Sequence, residues 1–187
     1  MPPYPESLFN YQMEEKDIIV NHVANSPLVV FDLEEHYPIG YRVAFDIKKW
    51  LFEGMILKEN DLREYVKSHD WRQYRGKNVA LHCSVDAIIP TWAYMLITTK
   101  LSPYANMIIM GSIAELETTL FRKMLSQLDL ELFRDKKMVI KGCGNREIPE
   151  PAYIEITRLL TPIASSIMYG EPCSTVPLYK RPKDKND

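Results

Sequence analysis

Three cysteines hold most of the chemistry this sequence offers, and each stands alone. They are Cys83 in His82-Cys83-Ser84-Val85-Asp86, Cys143 in Lys141-Gly142-Cys143-Gly144-Asn145, and Cys173 in Glu171-Pro172-Cys173-Ser174. A count of three is odd and too small for a secreted disulfide framework, so the thiols are either buried bystanders or ligands and nucleophiles. No Cys-x-x-Cys pair is present, so a shared site has to be assembled by the whole fold rather than by one turn. If Cys83, Cys143 and Cys173 converge, they make a soft site for zinc or an iron-sulfur cluster. The fourth position then falls to Asp86, to His82 or to an exogenous group. A second reading makes Cys83 the nucleophile or persulfide carrier of a thiol enzyme. A third makes the cysteines structural in a non-catalytic interaction protein.

The neighbours of each thiol sharpen these alternatives. A helix expected to start near Ala87 puts Cys83 close to a helix N-terminus, where the dipole lowers a thiol pKa. In the same segment Asp86 is either an oxygen ligand or a helix cap, with Pro90 in the first turn. Glycines on both sides of Cys143 let the backbone expose consecutive N-H groups, the geometry of an anion or metal-thiolate nest. His22, His36 and His69 lack metal-ligand spacing and read as solvent-facing or capping residues. Trp92, Tyr94, Met95 and Tyr104 read as packing, with Trp92 able to wall a pocket over Cys83. There is no G-x-G-x-x-G, Walker loop or G-x-S-x-G, so nucleotide binding and serine hydrolysis lack their usual apparatus.

The elements that must position these groups come from periodicity. Residues 1–12 read as a flexible lead, 13–181 as a single α/β domain and 182–187 as a charged tail. Met13 to Ala24 has helical spacing, and Ser26-Pro27 stops it. Leu28–Phe31 and Tyr41–Ile47 read as strands around a polar turn, a long hairpin that opens a β-meander. Trp50–Leu57 fits a third strand or a helical turn, and Asn60 to His69 a helix capped by Asn60. Then strands at 78–82, 107–110 and 137–141 alternate with helices at 87–100, 112–128 and 152–168, with Thr161-Pro162 as a break. That alternation predicts right-handed crossovers and a mostly parallel sheet. No repeat stands out at a solenoid period.

Ligands of an open parallel sheet collect at the carboxyl ends of its strands. Cys83 and Cys143 both fall there. A helix returning from that edge carries Cys173 to the opposite one, unless a second helix after Thr161-Pro162 brings it back.

Composition removes several function classes. The chain has 187 residues, 46% of them hydrophobic and 26% charged, with a formal net charge of -2. A folded core fits these values, and a near-neutral charge leaves no electrostatic footprint for nucleic acid or acidic lipid. No apolar stretch has membrane-span length, and the start lacks the pattern of a secretory signal, so the expected address is cytoplasmic, away from membranes.

Four segments resemble a known family: Phe45-Asp46-Ile47-Lys48-Lys49-Trp50-Leu51-Phe52-Glu53-Gly54, Cys83 to Met95, Ile140-Lys141-Gly142-Cys143, and Ser166 to Pro177. They are similar to the bacterial proteins of domain of unknown function 2480, over most of the chain from about Asp17 to Lys180. The resemblance implies no activity. It implies that three of the signature segments each contain one cysteine, and that the genes tend to lie near those for sulfur mobilisation and iron-sulfur assembly, whose proteins become the expected partners.

Overall fold

The computed structural model describes residues 28–142 and 144–182. The expected N-terminal helix, Cys143 and most of the charged tail lie outside them. Seven strands and four helices follow in order: β1 (Leu28–Asp32), β2 (Arg42–Asp46), α1 (Glu59–Ser68), β3 (Asn78–His82), α2 (Thr91–Leu101), β4 (Met107–Met110), α3 (Ile113–Leu125), β5 (Lys137–Lys141), α4 (Glu150–Leu160), β6 (Ser166–Glu171) and β7 (Ser174–Lys180). Short 3₁₀ turns span Ile47–Trp50, Trp71–Tyr74 and Leu130–Phe133.

The expected α/β class with mostly parallel pairing holds, but the strands form two sheets. One has the order β2-β3-β4 and is all parallel; the other is β1-β5-β6-β7, antiparallel only at β7. The expected hairpin and meander are therefore corrected. β1 pairs with β5, Leu28 beside Lys137, while β2 pairs with β3, Arg42 beside Asn78. Strand pattern identifies extended segments and says nothing of their partners. Residues 50–57 give neither a full strand nor a helix, only a 3₁₀ turn and an isolated bridge between Phe52 and Ile56.

The two sheets are two copies of one unit. A constant shift of 59 residues, 137 less 78 and 166 less 107, carries β3 onto β5 and β4 onto β6. The same shift carries Pro90 onto Pro149, Ala93 onto Ala152, Tyr94 onto Tyr153, Ile97 onto Ile156, Thr98 onto Thr157 and Leu101 onto Leu160. Local hydrogen bonds repeat with it. Thr98 Oγ1 donates to the Tyr94 carbonyl at 2.8 Å and Thr157 Oγ1 to the Tyr153 carbonyl at 2.7 Å; Asp70 and Asp129 both cap their 3₁₀ turns at 3.1 Å. The first strands match as well: Leu28-Val29-Val30-Phe31-Asp32 against Arg42-Val43-Ala44-Phe45-Asp46. Because those two strands are adjacent in sequence, β1 leaves its neighbour and completes the later unit.

α3 joins the units. Its capping box, Ser112 with Glu115, fixes its start. Leu116 and Leu120 pack on Ala80 of the three-stranded sheet, while Phe121 and Leu125 enter the core of the other sheet with Leu33, Met138 and Ile140. Arg42, at the start of β2, grips Glu117 of α3 with Nε at 2.6 Å and Nη2 at 3.0 Å, and both side chains are mostly shielded. Tyr37 donates to the same carboxylate at 3.2 Å and lies under the guanidinium groups of Arg42 and Arg146, each 4.8 Å from its ring centre. The core of the first unit is aromatic, with Phe45, Trp71 and Tyr74 buried and His69 packed between Trp71 and Tyr74. His69 is the C-cap of α1, its N-H donating to the Tyr65 carbonyl at 2.9 Å, and its ring is packed rather than turned to solvent; burial holds its pKa below the ordinary value despite the opposing charge of Asp70.

Three helix boundaries are corrected, with consequences for the thiols. α2 begins at Thr91 after Pro90, not near Ala87, and α4 begins at Glu150 after Pro149. A proline fixes its own φ and keeps the residue before it extended, so both loops run straight to the proline. The helix expected to 168 stops at Leu160, and Ser166–Glu171 is a strand. Pro162 stands just past that stop, where a helix cannot continue.

Candidate functional site

Each sheet ends in an aspartate. In the first unit the Asp46 carboxylate accepts hydrogen bonds from the Lys48 N-H at 3.0 Å, the Ser84 N-H at 3.1 Å and the Ser84 hydroxyl at 2.6 Å. Burial alone would raise its pKa, but these bonds, led by the Ser84 hydroxyl, hold it below 3.8. In the second unit Asp32 accepts from the Glu34 N-H at 2.9 Å and pairs with the Lys141 ammonium at 3.0 Å, which likewise outweighs burial.

Cys83 follows β3 and is half-buried beside this first carboxylate. Its Sγ lies 3.4 Å from the Val85 carbonyl, a contact in which the thiol donates. α2 begins eight residues after Cys83, at Thr91, and Tyr94 of its first turn stands near the thiol. Tyr94, not Trp92, is its aromatic neighbour. The Tyr94 hydroxyl is pushed up first by burial and then by its neighbours Cys83 and Asp46. Trp92 instead faces Arg63, whose guanidinium is 5.9 Å from its ring centre. Asp86 lies exposed in the same loop and is not the cap of α2, a position held by Pro90.

The second unit presents the other two thiol segments. The nest expected around Cys143 forms on its C-terminal side. The Glu34 carboxylate accepts from the Gly144 N-H and from the Asn145 N-H, the latter at 2.9 Å. A side chain at Gly144 would meet that carboxylate at 2.7 Å, and one at Gly142 would meet the Tyr153 hydroxyl at 2.8 Å and Leu33 at 3.1 Å. Close approach therefore favours glycine at 142, where Tyr153, Leu33 and Ile148 all crowd the position, whereas at 144 the neighbour is the movable end of Glu34. Tyr153 donates to the Gly142 carbonyl at 2.8 Å and fixes the strand end from the other side.

Cys173 lies exposed in the tight turn between β6 and β7. The expected obstacle to its approach is removed by a strand rather than by a second helix. β6 runs parallel to β5, so Glu171 ends at the same carboxyl edge as Lys141, and the Lys141 ammonium lies 3.8 Å from the Glu171 carboxylate. The first turn of α3, just after β4, and the first turn of α4, beyond β5, line a common cavity of about 590 Å³ with Tyr37 and Glu147.

Among the described residues, no three His, Cys, Asp or Glu side chains converge as ligands. Cys143 lies outside them. Sequence reasoning missed Asp46, Ser84, Tyr94 and Glu34. The signal that marks the aspartates is their recurrence as Phe31-Asp32 and Phe45-Asp46 at the end of matching strands.

No helix among the described residues is long and apolar enough to cross a membrane. No curated protein and no solved structure matches the chain. One family model matches residues 17–181, the proteins of unknown function DUF2480, and the chain belongs to that family.

Proposed function

We propose that the chain binds a soft metal, zinc or an iron-sulfur cluster, at the carboxyl edge of its sheets. Cys143 and Cys173 are the primary thiolates, Cys83 the third ligand and Asp86 the fourth. The observation that carries this reading is the parallel pairing of β5 with β6. Both thiols follow these strands by two residues, after Lys141 and after Glu171. Neighbouring strands lie about 4.7–4.9 Å apart, and two sulfurs held tetrahedrally by bonds of about 2.3 Å lie about 3.8 Å apart, so thiols on loops from adjacent strand ends need converge by only about 1 Å. Cys83 and Asp86 follow β3 at the carboxyl edge of the other sheet.

A thiolate-rich donor set favours soft metals over magnesium or calcium. Zinc bound there would act as a fold staple or a Lewis acid, and a cluster would supply electron or sulfur chemistry. The residues' own part is to hold the loops: Glu34 and Tyr153 fix the segment that carries Cys143, and the β6–β7 turn presents Cys173. An exposed site of this kind suits an accessory to iron-sulfur assembly or sulfur mobilisation.

The test is metal content after anaerobic purification for the wild type and for Cys83→Ser, Cys143→Ser, Cys173→Ser and Asp86→Asn. Loss of metal with Cys143→Ser and Cys173→Ser, and partial loss with Cys83→Ser and Asp86→Asn, is the expected pattern. Equal metal content in the wild type and the Cys143→Ser and Cys173→Ser variants would place the ligands elsewhere.

A further inference from the structure

β4 ends its sheet, and the fold shows what such an edge receives. Gly111 donates to the Leu81 carbonyl at 3.0 Å, so by the alternation of a parallel ladder Met107 and Ile109 face β3. Ile108 and Met110 then turn their N-H and C=O groups outward. The strand Met107-Ile108-Ile109-Met110 carries no charge and no proline, and its pairing to β3 has no bulge. Exposed edges usually have one of these devices against pairing. β7, the outer strand of the other sheet, has Pro177 and Lys180 and pairs with β6 through an irregularity at Ile167 and Met168.

The duplication supplies the comparison. In the second unit β6, the counterpart of β4, receives β7 as an antiparallel neighbour with Tyr169 opposite Val176. A cavity of about 380 Å³ beside it is lined by Tyr153, Ile154, Thr157 and Tyr169 together with Leu178 of β7. The matching cavity of about 450 Å³ in the first unit is lined by Tyr94, Met95, Thr98 and Met110, and no strand among the described residues closes it. Met95 is 64% and Met110 70% exposed, both apolar.

We infer that β4 pairs antiparallel with β4 of a second copy of this chain, joining two three-stranded sheets into one. A two-fold axis perpendicular to the sheet and centred on Ile109 is the geometry that fits. It sets Ile108 against Met110 of the second copy, and Met110 against Ile108, so the residues with outward backbone groups meet in hydrogen-bonded pairs on one face. Met110 then faces a β-branched residue, as its counterpart Tyr169 faces Val176. No charge opposes a like charge in this pairing, and Met95 and Met110 of both copies leave water together.

Sedimentation or light scattering of the full chain tests this. The wild type takes twice the monomer mass of 21.8 kDa at high micromolar concentration. Met110→Pro removes an outward N-H that the ladder to β3 does not use, and Met110→Lys puts a charge on the edge. Each shifts the midpoint of association at least tenfold to higher concentration, and the circular dichroism spectrum stays native. If Met110→Pro fails to fold, Met110→Lys decides. A wild type that stays monomeric throughout, or a dimer indifferent to the folded variants, overturns the inference.

Discussion

Replacing Leu116 by alanine tests whether α3 holds the two units together. Leu116 is fully buried on the side of α3 that meets Ala80, with Leu120 beside it and Met107 and Ile109 packed around. Buried Leu→Ala changes cost about 2.7–5.0 kcal/mol, more where the surroundings cannot collapse. Here Met107 and Ile109 are only partly buried and can shift toward the space, which points to the lower part of that range, about 3 kcal/mol. At about 2–4 °C per kcal/mol for a chain of this size, the melting temperature falls by about 6–12 °C. Because the other side of α3 carries Phe121 and Leu125 into the core of the second sheet, both units should lose stability together. Calorimetry and circular dichroism should show one transition moved as a whole. A fall below about 1 kcal/mol, or two transitions of which only one moves, would refute the role assigned to α3.

Other outcomes follow from the same geometry. Asn78 is fully buried, with its Oδ1 accepting from Asn106 at 2.8 Å. Asn78→Ala removes this bond, whose exposed partner Asn106 can turn to water, and should lower stability by about 0.5–1.5 kcal/mol in urea unfolding, against no change if the pair is incidental. Asp32 and Asp46 both have pKa values below 3.8 in the folded chain, held there against burial by the Glu34 N-H and Lys141 and by the Ser84 and Lys48 donors, respectively. Their contribution is therefore present above the unfolded value and is lost as pH falls through the folded one, so Asp46→Asn should flatten the acid side of a plot of stability against pH below about 4. An unchanged slope would deny Asp46 its part. Glu34→Ala frees the Gly144 and Asn145 N-H groups and should speed their hydrogen exchange and lower metal retention, while Tyr94→Phe leaves both as they are.

The class of fold was legible because strand and helix periods alternate cleanly from Asn78 onward. Strand partners were not, since Leu28–Asp32 and Arg42–Asp46 carry the same pattern and only tertiary pairing sends them to different sheets. Their likeness was itself the missed signal, together with Pro90 and Pro149 at matching positions before α2 and α4. Applying the shift that takes Met107–Met110 to Ser166–Tyr169 would have turned the end of the expected last helix into β6. The strand-edge rule found Cys83 and the Cys143 loop from local sequence. Cys173 needed the direction of β6, which no local pattern contains. Glu34 lies far in sequence from the loop it holds, and its role depends on β1 pairing with β5.

The central claim is that the thiols at the carboxyl edge serve one soft metal. Elemental analysis of the full chain, purified without oxygen and compared with a count of titratable thiols, tests it most directly. About one zinc, or the iron and sulfide of one cluster, per chain is the predicted result, with Cys143 and Cys173 shielded until the protein unfolds. Folded protein without metal, in which all three thiols react freely, would contradict it.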